Sequence, residues 1–141
     1  MAELEEDIKM IGSLEVTIIT LNVNGMNSPI KWKQIAKCIR KQNPIICCLQ
    51  ETHMMQEDTH SMKANGWSKI LWASSEKKKA GVAIMISHKV KAKIDMVKRD
   101  REDNYILIRG SIDNEEISVL NMYAPNGMAY KFLKEKLTEL K

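Results

Sequence analysis

Neither a membrane-spanning run nor a secretion signal is present in this chain. No window approaches the roughly 18 apolar residues that cross a bilayer, and the first residues carry Glu3, Glu5, Glu6 and Asp7 where a signal peptide has a basic stretch and an apolar core. Cysteine is scarce: Cys38 stands alone, and Cys47 and Cys48 are adjacent, so a strand would point them to opposite faces. An odd count of three gives no complete disulfide framework, and the lack of a Cys-x-x-Cys pair removes the usual zinc reading. The expectation is an intracellular protein, nuclear or cytoplasmic, neither secreted nor membrane-bound. Internal repeats and low-complexity segments are also missing.

The 141 residues are 44% hydrophobic, enough for one ordinary domain, where roughly 100–200 residues is usual. The net charge of +4 is unevenly spread: residues 1–15 sum to −4, residues 16–93 to +9 and residues 94–141 to −1. The basic middle holds Lys31, Lys33, Lys37, Arg40, Lys41 and the Lys77-Lys78-Lys79 triplet. Such a segment is compatible with a polyanion, although exposed lysines are more often plain solvation.

Two apolar segments end abruptly in polar groups. Residues 16–22 are rich in β-branched side chains and run into Asn22-Val23-Asn24-Gly25; Ile45 to Gln50 runs into Glu51-Thr52-His53. A carboxamide and a carboxylate delivered by the ends of two buried strands make the oxygen half of a hard-metal site, because ligands collect at strand ends in open α/β sheets and Mg²⁺ takes oxygen donors.

Between these strands, Ser28 is placed to cap a helix with Pro29 in its first turn, and Ile30, Ile35, Cys38 and Ile39 follow helical spacing up to about Lys41. Asn43-Pro44 stops it. The β-α-β unit favours a parallel pair. Further strands are expected at 67–72, 81–86, 105–109 and 117–123, the last two joined around Asp113-Asn114-Glu115-Glu116. Residues 74–79 read as a loop and 130–140 as an amphipathic helix. Trp67 and Trp72 read as sheet packing, His53 and His60 as surface polar residues, and Trp32 has no assigned role.

Taken in order, Leu21-Asn22-Val23-Asn24-Gly25, Gln50-Glu51-Thr52-His53, Ala80-Gly81-Val82-Ala83-Ile84 and Asn121-Met122-Tyr123-Ala124-Pro125-Asn126 resemble the endonuclease/exonuclease/phosphatase superfamily. Within it they are most similar to the N-terminal endonuclease domain of the second open reading frame product of mammalian LINE retrotransposons. The resemblance runs from about residue 16 to the end. It implies an α/β fold, a β-sandwich with flanking helices in four layers (α/β/β/α), of which this chain supplies the first sheet-plus-helices half. It divides the chain into an acidic leader, 1–14, and the N-terminal half of such a domain, 15–141.

The resemblance also implies roles. Asn22 and Glu51 would hold Mg²⁺, with Mn²⁺ as a substitute, Glu51 and Tyr123 would be catalytic, and Asn24 and Asn126 would either contact substrate or shape their loops. The activity implied is Mg²⁺-dependent nicking of DNA to leave a 3′-hydroxyl. The family's Gly-Asp-Phe-Asn and Ser-Asp-His motifs do not occur in the sequence. Three expectations follow: a chain inactive by itself, a DNA partner, and a missing half or protein partner covering an exposed sheet. Alternatives are a non-catalytic nucleic-acid or protein binding remnant, or another phosphoesterase of the superfamily.

Overall fold

A computed structural model describes residues 3–11, 14–23, 29–52, 66–73, 81–100 and 104–123. These form eight strands and one helix: β1 (Glu3–Ile11), β2 (Leu14–Asn22), α1 (Pro29–Gln42), β3 (Ile46–Gln50), β4 (Trp67–Ala73), β5 (Val82–Ser87), β6 (Ala92–Arg99), β7 (Tyr105–Ile112) and β8 (Glu115–Met122). The capping role of Ser28, the lysine-rich loop, His53, His60 and the helix expected at 130–140 lie outside the described residues.

The first sheet has five strands in the order β1-β2-β3-β5-β4, and the second has three in the order β6-β7-β8. The expected β-α-β unit is present, with β2 and β3 parallel and Asn22 opposite Gln50 at their shared end. The antiparallel pattern begins earlier than the sequence indicated, since β5 already runs antiparallel to both β3 and β4.

Strand alternation divides the core into two layers. Ile19, Leu21, Cys47, Leu49 and Met85 face α1, where Ile35 and Ile39 meet them; Val16, Ile46, Cys48, Ile84 and Ile86 face the second sheet and its Ile106, Ile108 and Ile112. Burying such a side chain contributes about 1.5–3 kcal/mol. Cys47 and Cys48 point to opposite faces, as their adjacency required. Burial holds both as neutral thiols, with Cys48 pushed up to about 12 and Cys47 raised further by its cysteine neighbours.

The apolar seam of α1 differs from the expected one. Ile30 is 71% exposed and Cys38 is exposed, while Trp32, Ile35, Ala36 and Ile39, spaced i, i+3, i+4, i+7, meet the sheet. Trp32 thereby gains a packing role beside Trp67 and Trp72. The helix stops as expected, with Asn43 at φ 52°, its N–H bonding the Ile39 carbonyl, and Pro44 following.

Strands β1 and β6 were not expected. The acidic leader supplies β1, antiparallel to β2 along its whole length from Glu3–Asn22 to Ile11–Leu14. The β7–β8 hairpin turns on Asp113 and Asn114 alone, at φ 48° and 70°, the two-residue geometry that suits the strand twist. The face of the first sheet that was expected to stand bare is covered by β6–β8.

Candidate metal and phosphate site

Strands β2 and β3 end together, so the register itself brings Asn22 alongside Gln50, and Val23 extends the pairing by donating its N–H to the Gln50 carbonyl at 3.0 Å. On β3 the side chains alternate, Cys48 and Gln50 toward the second sheet, Cys47 and Leu49 toward α1. Continued alternation would send Glu51 toward the helix. Instead Glu51 adopts φ 53°, a left-handed conformation costing a non-glycine residue about 1–2 kcal/mol, and the alternation breaks there.

The carboxylate of Glu51 accepts a hydrogen bond from the Tyr123 phenol. Tyr123 follows β8, packs against the inter-sheet cluster and is anchored by its N–H to the Asn104 carbonyl at 2.8 Å. Its hydroxyl is raised above the usual tyrosine range, first by burial, then by the Glu51 charge and the bond to it. A neutral phenol beside a carboxylate is therefore the resting arrangement.

Asn121, which sequence reasoning did not single out as a site residue, ties this end of the molecule together. It is 3% exposed; its Nδ2 donates to the carbonyls of Leu49 at 2.9 Å and Ala83 at 2.7 Å, and its Oδ1 accepts from Gln50 Nε2 at 2.8 Å. All its amide protons are used, so β8 is fixed against β3 and β5 at the level where Glu51 begins. Thr52 N–H bonds the carbonyl of Gly81, whose φ of 133° only glycine adopts readily. The only sequence signal for this support was that Gln50, Gly81 and Asn121 stand inside the motif strings.

Asn22, Glu51 and Tyr123 therefore share one pole, while Asn24 and Asn126 lie outside the described residues. Among the described residues no three His, Cys, Asp or Glu groups converge. Among the described residues the set consists of the Glu51 carboxylate and the Asn22 carboxamide. Both are hard oxygen donors of the kind Mg²⁺ accepts when it keeps several waters. Beside Glu51, the Thr52 hydroxyl is fully buried and has no hydrogen-bond partner among the described residues. The residues fit a hydrated divalent cation.

Two sheets face to face, a helix on one outer side and oxygen donors at the strand ends define a class. The Endonuclease/Exonuclease/phosphatase family model matches residues 19–132, and the chain belongs to this family. The structure is similar to TDP2 from Caenorhabditis elegans, with 19% identity and a TM-score of 0.63 over 92% of this chain and 44% of that one. It is also similar to the 3′ phosphatase NExo from Neisseria, solved with a product DNA hairpin, at 23% identity and a TM-score of 0.62 over 85% and 48% of the two chains. An AP endonuclease from Archaeoglobus fulgidus matches at 25% identity and a TM-score of 0.59 over 87% and 48%. The chain thus spans about half the length of these solved structures. In the structure described, no helix is long and apolar enough to cross a membrane.

Proposed function

We propose that this chain is the N-terminal half, over residues 15–141, of a Mg²⁺-dependent DNA endonuclease of LINE retrotransposon type, with residues 1–14 an acidic leader whose β1 adds an edge strand to the sheet. The observation that carries the reading is the Glu51–Tyr123 pair at the shared end of β2, β3 and β8, next to Asn22. Asn22 and Glu51 would hold Mg²⁺, or Mn²⁺ in its place. When bound, the cation would supply charge stabilisation to the phosphate and the leaving oxygen.

The reaction is hydrolysis of one phosphodiester: water attacks phosphorus, the bond to the 3′ oxygen breaks, and that oxygen leaves as a 3′-hydroxyl after taking up a proton. Tyr123, protonated at neutral pH, has one O–H to donate, and turns it from Glu51 to a non-bridging oxygen once the cation occupies the carboxylate. The left-handed turn at Glu51 and the Asn121 bonds keep the carboxylate and phenol in place while the substrate enters. Asn24 and Asn126 are proposed to touch the flanking nucleotides.

The groups that activate water belong to the Gly-Asp-Phe-Asn and Ser-Asp-His motifs, which these 141 residues do not contain. A supercoiled-plasmid nicking assay tests the reading. The chain alone leaves the plasmid intact, and a protein joining it to a C-terminal half that carries both motifs nicks it with Mg²⁺. In that joined protein Tyr123→Phe lowers the rate by about 10²–10³, the cost of one oxyanion donor. A joined protein that folds and does not nick sinks the endonuclease assignment. The missing motifs also favour a second reading, a non-catalytic binding remnant, which the same assay separates. Preference for a small phosphate ester over DNA would point to another phosphoesterase of the family.

A further inference from the structure

The outward side of α1 carries charge of one sign. Its sequence, PIKWKQIAKCIRKQ, contains five basic residues and no acidic one, with Arg40 and Lys41 in the last turn. Trp32, Ile35, Ala36 and Ile39 take the side packed on the sheet, which leaves Lys33, Lys37, Arg40 and Lys41 as an exposed stripe at i, i+4, i+7 and i+8. No ion pair ties these four to the rest of the described residues. At 1.5 Å rise per residue the stripe is about 12 Å long.

The stripe continues into a cavity of about 250 Å³ at the helix C-terminus, lined by Ile39, Arg40, Pro44, Trp67, His88 and Lys89. His88 is held there by its Nδ1–H, which donates to the Gly66 carbonyl at 2.5 Å. Ser87 Oγ accepts the Lys89 N–H at 3.2 Å and fixes the turn. The position is at the opposite pole from Glu51: β5 is antiparallel to β3, so Ser87 meets Ile45 at the start of β3 while Glu51 follows its end. The five residues of β3 put about 16 Å between the poles.

We infer that the exposed face of α1, with the His88–Lys89 turn, is a second nucleic-acid surface that grips phosphate backbones without reading bases. A strand of duplex DNA carries one phosphate per about 3.4 Å of axis, so the stripe spans about three to four of them. The three lysines are point charges on flexible stems, suited to position and not to sequence, and Arg40 adds a fork that matches a phosphate. An anionic membrane fits less well, because the apolar side of α1 is buried against the sheet and, among the described residues, only Ile30 is a large exposed apolar residue. The inference stands whether or not the Glu51 pole is catalytic.

Fluorescence anisotropy with a random-sequence 20-base-pair duplex, without divalent metal and over a range of salt, tests it on the intact chain. Lys37→Gln, Arg40→Gln and Lys41→Gln together are expected to weaken binding at least about tenfold at 100 mM salt and to lower the salt slope by about two to three. A charge-matched control on the second sheet, Lys93→Gln, Lys98→Gln and Arg109→Gln, should change affinity less than about twofold. Equal losses in the two variants would mean that overall charge alone binds DNA and would overturn the inference. A second readout needs no substitution: the duplex should shift amide resonances of residues 31–42 and 87–89, and shifts confined to residues 22, 51 and 123 would overturn it. So would preferential binding of phosphatidylserine vesicles over the duplex.

Discussion

Three influences hold the proton on Tyr123: partial burial, the Glu51 carboxylate, and a hydrogen bond that requires the proton. Its folded pKa therefore lies above the unfolded value of about 10. Below that value both states hold the proton and the tyrosine imposes no pH dependence; as pH rises past it, the unfolded state loses the proton first and stability falls. Phenolate absorbance should show one tyrosine titrating later than free tyrosine, and Glu51→Gln should bring it partly back, since burial remains. An unchanged titration in that variant would break the assigned pair. Asn121 makes a second prediction at this scale. Asn121→Ala leaves two carbonyls and the Gln50 amide without their partner, and urea unfolding should show a loss of about 2–4 kcal/mol. The motif strings made Asn22, Glu51 and Tyr123 legible in the sequence; the Asn121 bonds were not, because they join residues 71 and 72 positions apart and depend on strand pairing.

At the scale of elements, the strands that the sequence revealed are those with an apolar face to hide. β3 and β5 are buried along nearly their whole length and read as continuous apolar runs. The two that escaped notice, β1 and β6, are both edge strands. Their sequences, ELEEDIKMI and AKIDMVKR, carry the charges with which edge strands discourage pairing with another chain, and those charges mask the strand pattern. β6 is further disguised by a bulge between Ile94 and Met96. Gly110 faces that bulge, and a Cβ there would lie 2.0 Å from the Lys93 carbonyl oxygen. Because the obstacle is backbone, Gly110→Ala should cost at least about 1–3 kcal/mol and loosen β6, read as faster amide exchange in residues 92–99. Wild-type exchange in β6 would contradict this account of the bulge.

At the scale of the whole molecule, three layers, α1, the five-stranded sheet and the three-stranded sheet, define two separate cores, and the thiols report on them independently. Cys47 lies in the helix-side core, Cys48 in the inter-sheet core, and Cys38 is exposed. Raised pKa values keep Cys47 and Cys48 unreactive as well as inaccessible. Iodoacetamide at pH 8 should label one thiol rapidly in the native chain and all three in urea; rapid native labelling of a second thiol would show that one core is not closed. The layered fold brings the ends of β2, β3 and β8 to one pole, and we propose that this pole holds a divalent cation.

An amide ¹H–¹⁵N correlation spectrum recorded during a Mg²⁺ titration tests that claim most directly. Saturable shifts at Asn22, Glu51, Thr52 and Tyr123 that disappear in Glu51→Gln are the predicted result. Shifts that survive the substitution, or that gather around Asp95 and Glu116 on the outer face of the second sheet, would contradict it.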